Sequence, residues 1–373
     1  MYLALYRKFR PKTFNEVIGQ EHITNTLINQ VKTGQVSHAY LFTGTRGTGK
    51  TTCAKIFAKA INCMSPVNGS PCGKCEVCSA IEEANNIDVL EIDAASNNGV
   101  NEIRELREKI KYPPIHGRYK VYIIDEVHML TDSAFNALLK TLEEPPRHAV
   151  FILATTEVYK LPATILSRCM RFDFRLVPTD LLCNLIENIF TTIGVNYDKQ
   201  SVEAIAVAGE GSVRDALSVA DCVVAFSGNN VTYDKTMEIL GKSDKDVVIK
   251  LADNIIDGNL GEVLETINDI YNSGKNLIAL GKEITVYFKD LLVVKNCKDS
   301  RKMLNVSEQT FNKIQNQAQK ISTENLINFM QKFSSIEAEL KYALSPKTLI
   351  EIVCLECASF SNQKKNWFLN QKK

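Results

Sequence analysis

The stretch "LFTGTRGTGKTTCAKIFAKAINC", Leu41 to Cys63, begins as an apolar run, crosses a glycine-rich turn and continues in a helical pattern. Within it "GTRGTGKT", Gly44 to Thr51, matches G-x-x-x-x-G-K-[ST] in full, and strand, loop, helix is the order in which that pattern binds phosphate. The glycines let backbone N–H groups close around phosphate oxygens, and the helix N-terminus turns its positive end toward them. Gly44, Thr45, Arg46, Gly47, Thr48, Gly49, Lys50, Thr51 and Thr52 are therefore the candidate nucleotide contacts. Lys50 would neutralise the β and γ phosphates, and the Thr51 hydroxyl would hold Mg2+.

Outward from this stretch the alternation repeats. "AYLFTG" (39–44), "DVLEID" (88–93), "KVYIID" (120–125), "AVFILATT" (149–156) and "MRFDF" (170–174) read as strands, being short, rich in β-branched and aromatic residues, and separated by helical patterns. Such runs belong to a largely parallel sheet covered on both faces, so residues 1–176 read as an α/β nucleotide-binding domain. "VYIIDEVHML" ends its strand in Asp125 and Glu126, at the edge where such sheets bind ligands. Asp125 would complete the Mg2+ shell begun by Thr51, and Glu126 would polarise the attacking water as general base. His128 reads as a surface or capping residue.

After Val177 the strand signals stop. "PTDLLCNLIENIFTTIG" and "SVEAIAVAGEGSVRDALSVADCVVAF" are helical, and 177–227 reads as a small helical domain. Residues 228–360 are helical in every strong pattern, including "SPKTLIEIVCLECASF" with Ser345 as N-cap and Pro346 at the first helical position. The segment 361–373 reads as a polar, flexible tail apart from Trp367.

No apolar run among the 373 residues approaches the roughly 18 of a membrane span, and the basic N-terminus lacks a signal-peptide core, which implies a cytoplasmic protein. The net charge of +1 supplies no global field for nucleic acid, so any DNA contact is a local patch. Eleven cysteines in such a chain suggest thiols and metal rather than disulfides. Cys53, Cys169, Cys183, Cys222, Cys297, Cys354 and Cys357 read as small buried hydrophobes. Cys63, Cys72, Cys75 and Cys78 are different: their C-x8-C-x2-C-x2-C spacing can aim four thiolates at one Zn2+, a closed and therefore structural site. Four unrelated thiols is the other reading.

Taken together the motifs resemble a known family. "YRKFRPKTFNEVIGQEHI" (6–23), the phosphate loop, "DEVHMLTDSAFNALLKTLEEPP" (125–146), "FILATTE" (151–157) and "ILSRC" (165–169) are similar to the bacterial clamp-loader ATPases, the gamma/tau family of DNA polymerase III within the AAA+ class. The resemblance covers nearly the whole chain. It implies an AAA+ P-loop domain over 1–176 with a zinc-binding insertion at 63–78, a helical lid over 177–227, and an all-α collar over 228–360 through which subunits form a ring. Thr155 resembles the first sensor of the γ-phosphate. Arg168 resembles the arginine finger acting in trans on the neighbour's ATP, and Arg214 the second sensor, which reaches from the lid. Tyr6, Arg7, Pro11, Val17 and Ile18 fall in the segments around the adenine.

The implied cofactors are ATP, Mg2+ and structural Zn2+. The implied partners are the other clamp-loader subunits, the sliding clamp and primer–template DNA, bound through phosphates without regard to sequence, with no membrane partner. Asn98, Gly99, Arg104, Arg107 and Lys111 are candidates for the DNA contact, although Glu105 and Glu108 between them equally suit a solvated, salt-bridged face. Two rival readings are a related branch-migration or helicase motor and a non-hydrolysing scaffold. The scaffold would have lost Lys50 or the acidic pair.

Overall fold

The computed structural model describes residues 3–82, 87–240, 245–274, 277–297, 299–304, 308–340 and 342–371. They fall into two units, 1–236 and 237–373. In the first, five short runs form one parallel sheet: β1 Ala39–Thr43, β2 Val89–Asp93, β3 Lys120–Asp125, β4 Ala149–Thr155 and β5 Met170–Asp173, ordered β2-β3-β4-β1-β5. Every residue of β1 and β4 is buried, as expected of strands covered on both faces.

Side chains alternate between two apolar layers, as the two-residue period of a strand requires. Tyr40, Phe42, Ile123 and Ile152 pack with Ile23 and Leu27 of α2 (Glu21–Thr33) and Phe57 and Ile61 of α3 (Lys50–Asn62). Leu41, Ile124 and Leu153 pack on the other side with Ile103 and Leu106 of α5 (Val100–Ile110) and Phe135 and Leu138 of α6 (Asp132–Glu143). Each such side chain contributes about 1.5–3 kcal/mol on burial. Three shorter helices complete this part: α1 Leu5–Lys8, α4 Glu76–Glu82 and α7 Ala163–Leu166.

The same unit continues through α8 Thr179–Ile193, α9 Lys199–Ala208 and α10 Val213–Ser227 and ends within α11 Tyr233–Leu240. The small helical region lies in the same unit as the sheet. Strand structure does not end at Val177. Asn196–Tyr197 (β6) and Asn230–Val231 (β7) pair in parallel, in runs of two residues that carry no periodicity to read.

The second unit is helical throughout its described residues: α12 Lys245–Asp257, α13 Leu260–Asn272, α14 Leu277–Asn296, α15 Ser300–Met303, α16 Glu308–Lys320, α17 Thr323–Leu340 and α18 Pro346–Gln371. Phe288, Phe329 and Phe333 centre its core, with Phe288 and Phe329 edge to face at 5.5 Å. Ser345 Oγ caps α18 from outside, accepting the N–H of Thr348 at 3.4 Å. The backbone of α18 continues to Gln371, through the segment read as a tail; side chains beyond Ser361, Trp367 included, lie outside the described residues. No described helix is long and apolar enough to cross a membrane.

One buried carboxylate fastens the loop ahead of β3. Asp88, 1% exposed, accepts the N–H groups of Ile115 (2.8 Å), His116 (2.7 Å) and Gly117 (2.9 Å). Burial alone would raise its pKa, but the three donors outweigh burial and hold it below the ordinary carboxylate value. A depressed folded-state pKa stabilises above the unfolded value, about 3.9, and that contribution is lost as pH falls through the folded one. Asp88→Asn should therefore lower the unfolding free energy by about 3 kcal/mol at neutral pH. In urea titrations the gap to wild type should stay constant above about pH 5 and narrow below about pH 4.

Candidate functional site

The carboxyl edge of the sheet gathers the polar residues. Thr43 of β1 is in register with Thr155 of β4 and Asp173 of β5, while Asp125 ends β3 opposite Asp93. From Thr43 the chain turns through Gly44, Gly47 and Gly49, all at positive φ (142°, 77° and 102°), and enters α3 at Lys50. Two of these glycines are also sterically required. A Cβ on Gly44 would lie 2.5 Å from the carbonyl oxygen of Phe174, and one on Gly47 would lie 1.9 Å from Ser212 Oγ.

Lys50 is buried, and its Nζ donates to the carbonyl oxygens of Gly44 (2.8 Å) and Thr45 (2.9 Å). Burial lowers its pKa, against the opposing charges of Glu126 and Asp125. Thr48 Oγ1 donates to the Thr45 carbonyl at 2.9 Å, which braces the turn. Thr51 Oγ1 donates to Asp125 Oδ2 at 2.7 Å, so a hydroxyl and a carboxylate from different elements meet beside the loop. That pair of hard oxygens is the ligand chemistry Mg2+ takes, and the glycine turn with its buried ammonium suits a polyphosphate. The residues present fit both groups.

Glu126 sits at φ 47°, a left-handed conformation uncommon for a residue with a Cβ. Its Oε2 accepts from Thr156 N–H (3.3 Å) and Thr156 Oγ1 (3.1 Å). His128 is no surface residue: its side chain is 8% exposed, with Nδ1 3.0 Å from Thr155 Oγ1 and Nε2 3.1 Å from Glu157 Oε2. The residue string holds no sign of this, because the partners arrive from the far end of β4.

A second residue missed from sequence is Arg10, whose Nε donates to Thr52 Oγ1 at 3.0 Å. Burial lowers its pKa, opposed by the charges of Glu91 and Asp125. Its neighbour Pro11 is half-buried, Val17 is buried beside Phe14, and Ile18 is half-buried. Tyr6 stands between two guanidinium groups, with Arg214 at 5.3 Å and Arg7 at 5.7 Å from its ring centroid. Arg7 and Arg46 are exposed.

Arg214 lies at the N-terminal end of α10, and this end touches the phosphate loop: the Val213 N–H donates to the Gly47 carbonyl at 3.0 Å. Arg168 is held apart from the loop residues, donating to Glu143 (2.8 Å) and to the Thr164 carbonyl (2.8 Å). On α5, Gly99 is the N-cap and Arg104 is exposed, while Lys111 pairs with Glu108 at 2.5 Å. The salt-bridged reading therefore describes Lys111.

The four spaced cysteines converge: the Sγ atoms of Cys63, Cys72, Cys75 and Cys78 all lie within 4.8 Å of one another. A tetrahedral Zn2+ with bonds of about 2.3 Å needs sulfur separations of roughly 3.8 Å. Cys63 and Cys75 are already 4.0 Å apart. The N–H groups of Lys74 (3.5 Å) and Cys75 (3.3 Å) donate to Cys72 Sγ and pull its pKa down to about 6, favouring the thiolate that metals bind. The intervening loop carries some structure of its own, a bridge between Val67 and Ser70. Of the other cysteines, Cys53, Cys354 and Cys357 are buried as read, whereas Cys222 in α10 and Cys297 just past the end of α14 are exposed.

Three family descriptions match consecutive parts of the chain. DNA polymerase III, delta subunit, covers residues 19–178; DNA polymerase III clamp loader subunit, ATPase lid domain, covers 182–229; and DNA polymerase III subunits gamma and tau domain III covers 231–367. The chain is 43% identical over 364 residues to DNA polymerase III subunit tau of Bacillus subtilis, covering 97% of this chain and 64% of that one. It is 38% identical over 357 residues to subunit gamma/tau of Mycobacterium tuberculosis (94% and 62%). It is 42% identical over 273 residues to subunit gamma of Buchnera aphidicola (73% and 75%). The chain thus spans somewhat less than two thirds of the first two relatives.

The contact between Gly47 and α10 yields a direct test. Gly47→Ala introduces a Cβ at positive φ against Ser212, so the Ser212 hydroxyl must leave its cap on the Asp215 N–H and the start of α10 must shift. Left-handed strain alone is about 1–2 kcal/mol. In urea titrations the variant should lose at least that much unfolding free energy, and hydrogen exchange should accelerate at Val213 and Arg214 while the amides of β4 stay protected.

Proposed function

The chain belongs to the bacterial DNA polymerase III gamma/tau family, and from that premise we propose that it is an ATP-hydrolysing motor subunit of a clamp loader, helping to open a sliding clamp and release it on primer–template DNA. The observation that carries this reading is the meeting of Thr51 and Asp125 at 2.7 Å beside a glycine turn with a buried lysine. Mg2+ bound at that pair would neutralise charge developing on the phosphoryl oxygens. Lys50 exchanges its two carbonyl partners for β and γ phosphate oxygens. Glu126, one residue beyond Asp125, leaves Thr156 to take a proton from the attacking water. Thr155 offers its hydroxyl to the γ-phosphate from the end of β4.

Tyr6, Arg7, Pro11, Val17 and Ile18 form the adenine side of the pocket in this reading, and Arg214 reaches the phosphates from α10 in cis. Arg168 leaves Glu143 and completes the neighbouring subunit's site in a ring joined through the helical second unit. Phosphoryl transfer depends on positioning and charge neutralisation, which these residues supply. The scaffold reading is disfavoured because Lys50, Thr51, Asp125 and Glu126 are all present and three of them touch the loop or each other. DNA is held through phosphates, with Arg104 and Arg107 as the candidate contacts.

The cysteine module is the support for structural zinc. Protein purified without added metal should contain close to one zinc per chain by elemental analysis. Cys72→Ser should lose the metal while keeping nucleotide affinity within about twofold, since the cluster supplies no group to the loop. Metal-free protein with an intact fold would overturn the assignment.

The arginine finger is tested by mixing subunits. An arginine supplied in trans is worth about 10³–10⁵ in rate, because it neutralises charge that develops only in the transition state. Arg168→Ala should leave ATP affinity within about tenfold but abolish clamp- and DNA-stimulated turnover in an all-mutant ring. Beside a wild-type neighbour that supplies its own finger, the mutant subunit should hydrolyse ATP again. Lys50→Ala should lose nucleotide binding in either setting. Continued inactivity of Arg168→Ala beside a wild-type neighbour would mean that the arginine acts in cis.

A further inference from the structure

His128 has no task in the reaction as described, yet its ring is almost fully buried between the two elements that carry Glu126 and Thr155. The hydrogen bonds around it form an ordered chain. The Glu157 N–H donates to Thr155 Oγ1 at 3.0 Å, so the hydroxyl acts as acceptor there and keeps its own proton to give. The nearest acceptor for that proton is His128 Nδ1, at 3.0 Å. On the opposite edge of the ring, Nε2 lies 3.1 Å from Glu157 Oε2. In the neutral ring the nearer carboxylate, Glu157 at 3.1 Å against Glu126 at 3.4 Å, favours the proton on Nε2 and leaves Nδ1 to accept from Thr155. Glu157 is itself anchored, by Lys160 at 2.6 Å and the Tyr159 hydroxyl at 2.7 Å, and this fixes the ring. Glu126 Oε2 stands 3.4 Å from the same Nδ1.

We infer that His128 is a positioning residue that couples Thr155 to Glu126. This rests on the ATPase reading, in which Thr155 faces the γ-phosphate and Glu126 is the base. Thr155 has one hydroxyl proton. Given to a phosphate oxygen, that proton is withdrawn from Nδ1. The imidazole lone pair then faces the Glu126 carboxylate with no donor between them, and two acceptors in that position repel. The ring therefore gives Glu126 a reason to leave Thr156 when, and only when, a γ-phosphate occupies Thr155. A diphosphate leaves the chain of bonds as it stands.

Two measurements decide it. In assembled complexes, His128→Phe fills the space but removes both ring nitrogens. It should lower kcat about 10- to 100-fold, the range typical of residues that orient a reacting group, with the affinities for ATP and ADP changed less than about threefold. His128→Asn, whose amide oxygen can take the place of Nδ1 as acceptor, should recover most of the loss. The second measurement needs no turnover. With ¹⁵N-histidine-labelled wild-type protein, the His128 resonances, assigned from their absence in His128→Asn, should show an unprotonated Nδ1. They should shift on adding Mg–ATPγS and stay in place with Mg–ADP. Unchanged kcat in His128→Phe, equal losses in nucleotide affinity and turnover, or identical spectra with both nucleotides would each overturn the inference. Loss of the ATPase reading would appear separately, as a wild-type complex without turnover, and the spectra would still decide whether His128 responds to the γ-phosphate.

Discussion

The pairing of β1 with β4 is the constraint on which the nucleotide-binding part depends. Because β1 enters the sheet between β4 and β5, a single parallel register sets Thr43 beside both Thr155 and Asp173. β3 adds Asp125 at the same edge, one strand further on. A slip of one residue would turn each strand's side chains to the opposite layer, exposing Tyr40 and Phe42 to the wrong helices and drawing the Thr155 hydroxyl away from the loop. The apolar alternation that fills the core thus holds polar groups from four strands in line. The site needs no separate scaffold.

Much of this was legible in the residues. The five strands were readable because each is short, carries β-branched or aromatic residues and is set off from the next by a helical pattern, and the loop because its glycines answer to fixed steric needs. The acidic pair was readable because it ends an apolar strand, and the four cysteines because their spacing is local. What could not be read depends on contacts across distant segments. His128 follows Asp125 by three positions, but Thr155 and Glu157 bury it, and neither is near in sequence. Arg10 joins the loop through Thr52 for the same reason. The β6–β7 pair was too short to give a period, and composition alone could not separate the exposed Cys222 and Cys297 from the buried cysteines.

The two clusters of the first unit obey different physics. At the phosphate loop the polar atoms are satisfied within the protein and must exchange partners when an anion arrives, so the site combines rigidity with replaceable bonds. Among the cysteines, the N–H donors around Cys72 favour a charged sulfur that finds its full counter-charge only in a cation. The former arrangement suits an anion that is exchanged, and the latter would suit a cation that stays.

The two carbonyl oxygens around Lys50 have a consequence for how fast a nucleotide can be accepted. An ammonium group on a solvated lysine sheds its hydration shell on meeting a triphosphate, and the loop around it must then be organised. Here the charge has already left water and the loop keeps its shape through its own bonds. Capture is then a swap of oxygens around one nitrogen, with little backbone search. Beyond the entropy any association loses, the barrier should lie in breaking two hydrogen bonds of 2.8 and 2.9 Å, which makes the capture step enthalpic and steeply dependent on temperature.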